Sequence, residues 1–196
     1  MIVTDPPEGA LIVERAGTAP GLVLRPWTEQ DVPAMVAAYR DPAMRQWLRR
    51  TVSTADDARR IIDARRAEAV AGTGFSFAVA LAELGEEPGQ LAGSVSLKGL
   101  GQGAVAGEVG YWVTASARGR GIAARAVDAV SRWAFGLPRE RPLERLELLH
   151  GVGNLASCRV ADKADFAFSA LLPPLPPDFP DEGHLHIRER ELREQR

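Results

Sequence analysis

Cysteine is almost absent from this sequence, whose 196 residues include a single one, Cys158. One cysteine forms no internal disulfide, which is typical of proteins from a reducing compartment. Long apolar runs are also missing, because no stretch approaches the ~18 residues that span a bilayer. The N-terminal residues lack the basic segment and the apolar core of a signal peptide. We therefore expect a cytoplasmic protein that does not bind membranes.

An excess of basic charge is missing too. The formal net charge is −2, and nucleic-acid binding normally requires a basic surface, so we expect no nucleic-acid partner. The chain is 45% apolar and 26% charged, as in ordinary globular proteins. Its length favours one domain over residues 1–196. Residues 1–20 would be an N-terminal extension, and residues 171–196 an atypical proline-rich C-terminal segment.

Histidine is scarce, with three residues in the chain. His184 and His186 alternate near two carboxylates, a pattern that can indicate zinc binding. His150 is the remaining histidine and does not complete a recognised ligand spacing, so we expect no metal site. We expect Cys158 to be a small buried residue, because no motif links it to a catalytic base.

Apolar periodicity and turn residues predict the order of the secondary-structure elements. Strands are predicted at 22–26, 75–81, 91–97, 109–113, 143–149 and 185–187, and helices at 28–40, 53–70, 119–135 and 155–163. The strands within 75–113 would form an antiparallel meander, whereas residues 1–20 are compatible with a tail or with an added edge strand. The sequence therefore predicts an α+β fold (α/β mixed), with helices flanking a central mixed, mostly antiparallel sheet.

The most informative segment joins a predicted strand to a predicted helix. The strand is Glu108-Val109-Gly110-Tyr111-Trp112-Val113, and the turn is Arg118-Gly119-Arg120-Gly121-Ile122-Ala123. The first amides of a helix have no partner within the helix and carry about half a positive charge, so they bind anions. Glycines let the backbone approach a pyrophosphate closely, and the two arginines can add charge-assisted contacts.

Two other nucleotide-binding motifs are excluded by their spacing. The G-x-G-x-x-G pattern of the Rossmann fold is absent, and no Gly-Lys-Ser/Thr ends a P-loop. The residues alone are also compatible with an ordinary left-handed turn that carries two solvated arginines. The chemistry of the motif leaves both interpretations open.

The segment resembles the coenzyme A motif of the GNAT superfamily of acetyltransferases. Arg118-x-x-Gly121-x-Ala123 matches the family pattern Q/R-x-x-G-x-G/A, and the strand before it is similar to that of the RimJ/RimL-type branch. Asn154-x-x-Ser157 matches the family's Asn-x-x-Ser before its last helix. The resemblance extends over most of the chain and implies a GNAT-like sheet whose splayed strands form an acetyl-CoA cleft.

The resemblance also implies a role for each matched residue. The amides that would hold the pyrophosphate of acetyl-CoA, the acyl donor, are those of Arg118, Gly119, Arg120, Gly121, Ile122 and Ala123. The strand edge at Trp112 and Val113 would bind pantetheine through main-chain hydrogen bonds. Asn154 would orient the coenzyme or the acceptor. Ser157 would lie near the sulfur, where it could protonate the leaving thiolate.

Glu108 is the candidate general base. A carboxylate at this position could take a proton from the acceptor ammonium directly or through one water. An exposed glutamate at the start of a strand is the competing interpretation. Asn154 likewise has a simpler role open to it, that of a helix N-cap.

Two departures from the family pattern bear on function. Asp165 stands where the family usually has glycine, and we expect aspartate to adopt the left-handed cap conformation at a greater cost. A proline-rich stretch after Phe166 replaces the usual compact hairpin. The acceptor therefore does not follow from the resemblance.

The leading hypothesis is an N-acetyltransferase that moves the acetyl group of acetyl-CoA to a primary amine by direct attack in a ternary complex. The amine would be a protein N-terminus or a small molecule. The alternatives are a catalytically silent acyl-CoA-binding sensor of the same fold and a non-enzymatic nucleotide-binding protein. A homodimer formed through the sheet edge or the proline-rich segment is compatible with the sequence.

Overall fold

The computed structural model describes residues 9–48, 50–82, 89–177 and 180–191. The strands are β1 (Leu11–Val13), β2 (Gly21–Pro26), β3 (Phe75–Ala82), β4 (Leu91–Lys98), β5 (Ala106–Val113), β6 (Arg145–Gly151), β7 (Ala167–Leu172) and β8 (Gly183–Glu189). The helices are α1 (Val32–Ala38), α2 (Pro42–Trp47), α3 (Ala55–Val70), α4 (Ile122–Phe135) and α5 (Leu155–Lys163), with 3-10 turns at Glu29–Asp31 and Ala115–Ala117. Among the described helices, none is long and apolar enough to cross a membrane.

The eight strands form one sheet in the order β1-β2-β3-β4-β5-β6-β8-β7. All neighbouring pairs are antiparallel except β5 and β6, which are parallel. The predicted mixed, mostly antiparallel sheet with flanking helices is confirmed, including the meander of β3, β4 and β5. The predicted hairpin loop at 83–89 lies almost entirely outside the described residues.

The N-terminal extension contributes an edge strand. β1 pairs antiparallel with β2 through Leu11 and Leu24, and both side chains are fully buried. Arg125 of α4 donates hydrogen bonds to the carbonyl oxygens of Glu14 and Pro20. Of the two possibilities left open by the sequence, the described part of the extension is therefore an added strand that is anchored to α4.

Apolar side chains cover both faces of the sheet. On one face, Trp133 of α4 packs edge-on against Phe75 and Phe77, whose ring centroids lie 4.9 and 5.3 Å away. On the other face, α1 and α3 bury Trp27 and Ile62 against the strands. Successive strand residues point to opposite faces, so β3 supplies side chains to both cores.

The C-terminal region corrects one prediction. The sequence predicts a single strand at 185–187, whereas the structure has two, because β7 begins directly after Phe166 and pairs antiparallel with β8. The proline-rich segment connects these two strands and does not replace the hairpin. β7 was missed because it is an edge strand with mostly exposed apolar side chains, so its sequence lacks alternation. Asp165 has φ +60°, the left-handed cap conformation expected of it.

Candidate active site

β5 and β6 separate partway along their length. They pair in parallel from Ala106 with Arg145 to Glu108 with Glu147, and the ladder ends there. Beyond that point β5 continues to Val113, bonded to β4 along its other edge, and β6 continues along β8. The main chain of β5 past Glu108 therefore presents an edge that no described strand covers. This is the predicted splay.

The turn before α4 is open and glycine-dependent. Gly119 and Gly121 have φ of +75° and +71°, and Gly121 is the N-cap residue of α4. A Cβ atom added at either glycine would meet nothing within 4 Å, so the space beside the turn is free. Residues 118–121 are exposed, whereas Ile122 is buried in the core and fixes the helix start. The unpaired amides of α4 thus face open space, as an anion site requires.

Arg118 forms an ion pair with the start of α2. Its guanidinium donates to the carboxylate of Asp41, the N-cap residue of α2, which also accepts from the Ala43 amide at 3.0 Å. Burial opposes ionisation of Asp41, but the Ala43 amide and Arg118 outweigh it and hold the pKa of the carboxyl below its usual range. Sequence reasoning missed this contact, because the two residues lie 77 positions apart.

Asn154 and Ser157 lie at the start of α5, as their spacing predicts. Asn154 caps the helix, since its Oδ1 accepts a hydrogen bond from the Ser157 amide at 3.2 Å. The buried hydroxyl of Ser157 lies 2.8 Å from the hydroxyl of Tyr111 on β5. α5 is therefore tied to the free part of β5 by a hydroxyl pair.

Tyr111 was not selected as a site residue from the sequence, although it stands inside the motif. Burial raises the pKa of its phenol above the usual value, against the opposing effect of the Ser157 hydrogen bond. The phenol therefore stays neutral at physiological pH and can donate a proton or a hydrogen bond. One feature of the sequence could have identified Tyr111. Alternation along β5 places it on the same face as Val109, which is a core residue.

Glu108 occupies the last paired position of the parallel ladder, at the point where the gap opens. Its side chain is 46% exposed and forms an ion pair with Lys98 at 3.3 Å. Alternation along β5 places it on the opposite face from Tyr111. Within the described residues, no contact joins Glu108 to Asn154 or Ser157. The structure thus brings Asn154 and Ser157 together with Tyr111 and leaves Glu108 apart from them.

Trp112 and Val113 form the end of the free β5 edge. The indole of Trp112 packs against Trp27 and Tyr39, with centroids 6.1 and 5.8 Å away. On the β4 side, Gly93 lies so close that an added Cβ would overlap the carbonyl oxygen of Trp112. Packing on one side and close strand contact on the other hold this edge in place.

A cleft of about 440 Å³ lies beside the end of β6. It is lined by Trp47, Gly151, Val152, Gly153, Pro174, Pro180, Asp181 and Glu182. The glycines lie directly before Asn154 in the chain, and the prolines belong to the segment between β7 and β8. The cleft therefore lies close to the start of α5 and carries two carboxylates.

Residues 21–167 match the family of acetyltransferase (GNAT) domains. This match covers most of the chain, so the protein belongs to the GNAT acetyltransferase family, and it includes the splayed strands, the glycine turn and α5. The expected family and enzyme class are confirmed.

Solved structures with the same fold include enzymes of the RimJ/RimL type. An acetyltransferase from Salmonella typhimurium that modifies the N-terminal serine of a 50S ribosomal subunit protein is 19% identical, with a TM-score of 0.72 over 89% of this chain and 97% of that one. RimJ of Mycobacterium smegmatis, in complex with a coenzyme A disulfide, is 21% identical, with a TM-score of 0.71 over 92% and 86%. A microcin self-immunity acetyltransferase in complex with acetyl-CoA and AMP is 12% identical, with a TM-score of 0.71 over 89% and 94%. No curated protein matches the sequence significantly.

Proposed function

We propose that this protein transfers the acetyl group of acetyl-CoA to a primary amine by direct attack in a ternary complex. The observation that carries the proposal is the separation of β5 from β6 beyond Glu108, directly before the open turn at Gly119 and Gly121. The edge of β5 that no described strand covers leads directly to the first turn of α4, whose amides can bind an anion. That path suits a long thioester with a pyrophosphate.

The coenzyme would lie along this path with its pyrophosphate against the first turn of α4. The amides of residues 118–123 would donate to the phosphate oxygens, and the helix dipole would favour their charge. Arg118 and the exposed Arg120 would add charge-assisted bonds. Pantetheine would pair with the free main chain at Trp112 and Val113. Because Arg118 already contacts Asp41, coenzyme binding would weaken or share that ion pair.

The chemistry would depend mainly on holding the amine against the thioester carbonyl. Glu108 would take a proton from the acceptor ammonium, directly or through a water. The neutral amine would attack the carbonyl carbon, and the C–S bond would break as the amide forms. Ser157, hydrogen-bonded to Tyr111, would give a proton to the leaving thiolate and would regain one, through the Tyr111 hydroxyl or a water, from the nitrogen that becomes the amide. Asn154 would support this arrangement by capping the helix that carries Ser157.

The cleft at the end of β6 would receive the acceptor. Asp181 and Glu182 favour a cationic group at its wall, which suits an ammonium. Trp47 offers an aromatic face for the rest of the acceptor. Neighbours of the same fold include an enzyme that acts on a ribosomal-protein N-terminus and one determined with AMP, so a peptide amine and a small-molecule amine are both chemically suitable.

Glu108→Gln tests the catalytic part of the proposal. Acetylation of a panel of N-terminal peptides and small primary amines would be followed by mass spectrometry. We expect turnover to fall about 100-fold or more, because general-base assistance is lost, while acetyl-CoA affinity changes little.

Glu147→Gln is the matched control, because Glu147 is the register partner of Glu108 and is held by Arg145 at 2.8 Å. Loss of activity in Glu147→Gln alone would assign the base to that residue. Binding of acetyl-CoA without acetylation of any amine by the wild type would instead favour the silent sensor.

A further inference from the structure

The three histidines and the single cysteine of the chain meet at one place. His150 is the last residue but one of β6 and the register partner of His184 on β8, and His186 lies two residues further along β8 on the same face. Cys158 projects from α5 onto them. One side-chain atom of each residue lies within 4.8 Å of those of the other three. The fold thus brings together four potential metal ligands that the spacing in the sequence did not reveal.

The distances in this cluster fit a tetrahedral metal site. The Nε2 atoms of His150 and His186 are 3.2 Å apart, and Cys158 Sγ lies 3.6 Å from His150 Nε2 and 3.4 Å from His184 Nδ1. Zinc bonds to nitrogen and sulfur of ordinary length, at the tetrahedral angle, separate two nitrogens by about 3.3 Å and a nitrogen from a sulfur by roughly 3.6 Å. These three distances therefore match those of a zinc site, and all four ligand atoms lie within 4.8 Å of one another.

The hydrogen bonding of the imidazoles supports a shared cation. His150 Nδ1 lies 2.9 Å from the Gly151 carbonyl oxygen, which only accepts, so this nitrogen carries the proton and Nε2 presents its lone pair to the cluster. His186 is 2% exposed, and its Nδ1 has no hydrogen-bond partner among the described residues. Its other nitrogen, Nε2, faces His150 Nε2, and without an ion these two atoms would share a single proton. A divalent ion would use both lone pairs.

We propose that His150, Cys158, His184 and His186 bind one zinc-class divalent ion. Three imidazoles and one thiolate are ligands that Zn²⁺ prefers, and four protein ligands define a closed, structural site. Binding releases the thiol proton of Cys158 to solvent, and the thiolate becomes the fourth ligand. The ion ties α5 to β6 and β8. Because Cys158 follows Ser157 in the chain, the bound ion would also hold in place the helix that carries Ser157 and Asn154.

Cobalt substitution tests the site directly. The full chain, purified without a polyhistidine tag, would be titrated with Co²⁺ and then with Zn²⁺ under reducing conditions. We expect one ion per chain, the intense visible bands of tetrahedral Co²⁺, a near-ultraviolet thiolate charge-transfer band, and displacement of cobalt by zinc. Because the chain has one cysteine, that band reports on Cys158 alone.

Two ligand variants and one control complete the experiment. Cys158→Ser should abolish the charge-transfer band, and both Cys158→Ser and His184→Gln should weaken zinc binding at least tenfold. Glu182→Gln, an exposed carboxylate two residues before His184, should leave the spectrum unchanged. Circular dichroism checks that each variant is folded. Zinc should also raise the melting temperature of the wild type but not of Cys158→Ser.

The proposal would be overturned if the folded wild type bound neither ion, or bound cobalt without the charge-transfer band. It would also be overturned if Cys158→Ser bound zinc as tightly as the wild type. These outcomes are independent of acetyl-CoA binding, because the test uses metal and protein alone.

Discussion

Two glycines shape the turn before α4, and each acts in two ways. Gly119 and Gly121 have positive φ, which other residues adopt at a cost of about 1 kcal/mol or more. They also leave open the space that a pyrophosphate would fill. The first effect concerns folding and the second concerns binding, so the two can be separated by experiment.

Gly121→Ala should lower acetyl-CoA affinity at least tenfold, because the methyl group both strains the turn and crowds the phosphates. Titration calorimetry measures this loss. Gly103→Ala is the matched control, since Gly103 has φ +75° and equally open surroundings but lies in the loop between β4 and β5. Both variants should lose similar stability, and only Gly121→Ala should lose affinity. Equal affinities in the two variants would remove the pyrophosphate from this turn.

At the residue scale, the sequence predicted contacts between near neighbours and missed those between distant ones. The N-cap at Asn154 and the left-handed Asp165 follow from short local patterns. The hydroxyl pair of Tyr111 and Ser157 joins positions 46 apart, and the cluster of three histidines and Cys158 joins two strands and a helix. Such contacts depend on strand order and register, which residue spacing does not encode.

At the scale of elements, the position of the free edge of β5 depends on the close packing of β4 against it. Gly93 is the register partner of Val113 and has no room for a side chain beside the Trp112 carbonyl. A methyl group there would force the two strands apart. The disturbed segment is the one proposed to bind pantetheine.

Gly93→Ala should therefore lower the free energy of unfolding by about 3 kcal/mol and weaken acetyl-CoA binding at the same time. Urea unfolding and calorimetry measure the two effects. Gly101→Ala, where an added Cβ meets nothing within 4 Å, should change neither. If Gly93→Ala were as stable as the wild type, close packing of β4 on β5 would not position this edge.

The elements themselves were predicted with uneven success. The meander and α3 were predicted correctly. Apolar periodicity marks both, and Thr54 caps the start of α3. The splay of β5 and β6 came from the family resemblance, since no pattern within either strand indicates where pairing stops. β7 was missed because an exposed edge strand shows no alternation.

At the scale of the whole molecule, a buried ion pair links the first helical segment to the sheet. Asp31 is 4% exposed and accepts two hydrogen bonds from Arg25, at 2.7 and 2.8 Å, and one from the Thr28 amide. Burial opposes its ionisation, but these bonds outweigh it and lower the pKa of the carboxyl below its usual value of 3.8. The stabilisation by the ionised carboxylate is therefore fully present above that value and is lost as pH falls through the folded-state pKa.

Asp31→Asn should lower the free energy of unfolding by about 3 kcal/mol at pH 7, because Arg25 loses its partner. The difference from the wild type should shrink as pH falls from 3.8 through the lower folded-state pKa of the carboxyl. Urea unfolding across this pH range measures both. Asp63→Asn, which removes an exposed pair with Arg66, should cost less than about 0.5 kcal/mol. A constant difference at all pH values would show that the ionised carboxylate does not contribute.

The fold and the family indicate the class of reaction, whereas the cleft proposed to receive the acceptor is lined partly by the proline-rich segment. Trp47 and the proline-rich segment meet at that cleft, far apart in sequence. The central claim is that the gap beyond Glu108 and the turn before α4 form one coenzyme site.

Titration calorimetry of the wild-type protein with acetyl-CoA, with ATP and NAD as controls, tests that claim most directly. We predict micromolar binding of one acetyl-CoA per chain and no binding of either control. A folded protein that binds no acetyl-CoA, or that binds ATP or NAD equally well, would contradict the account.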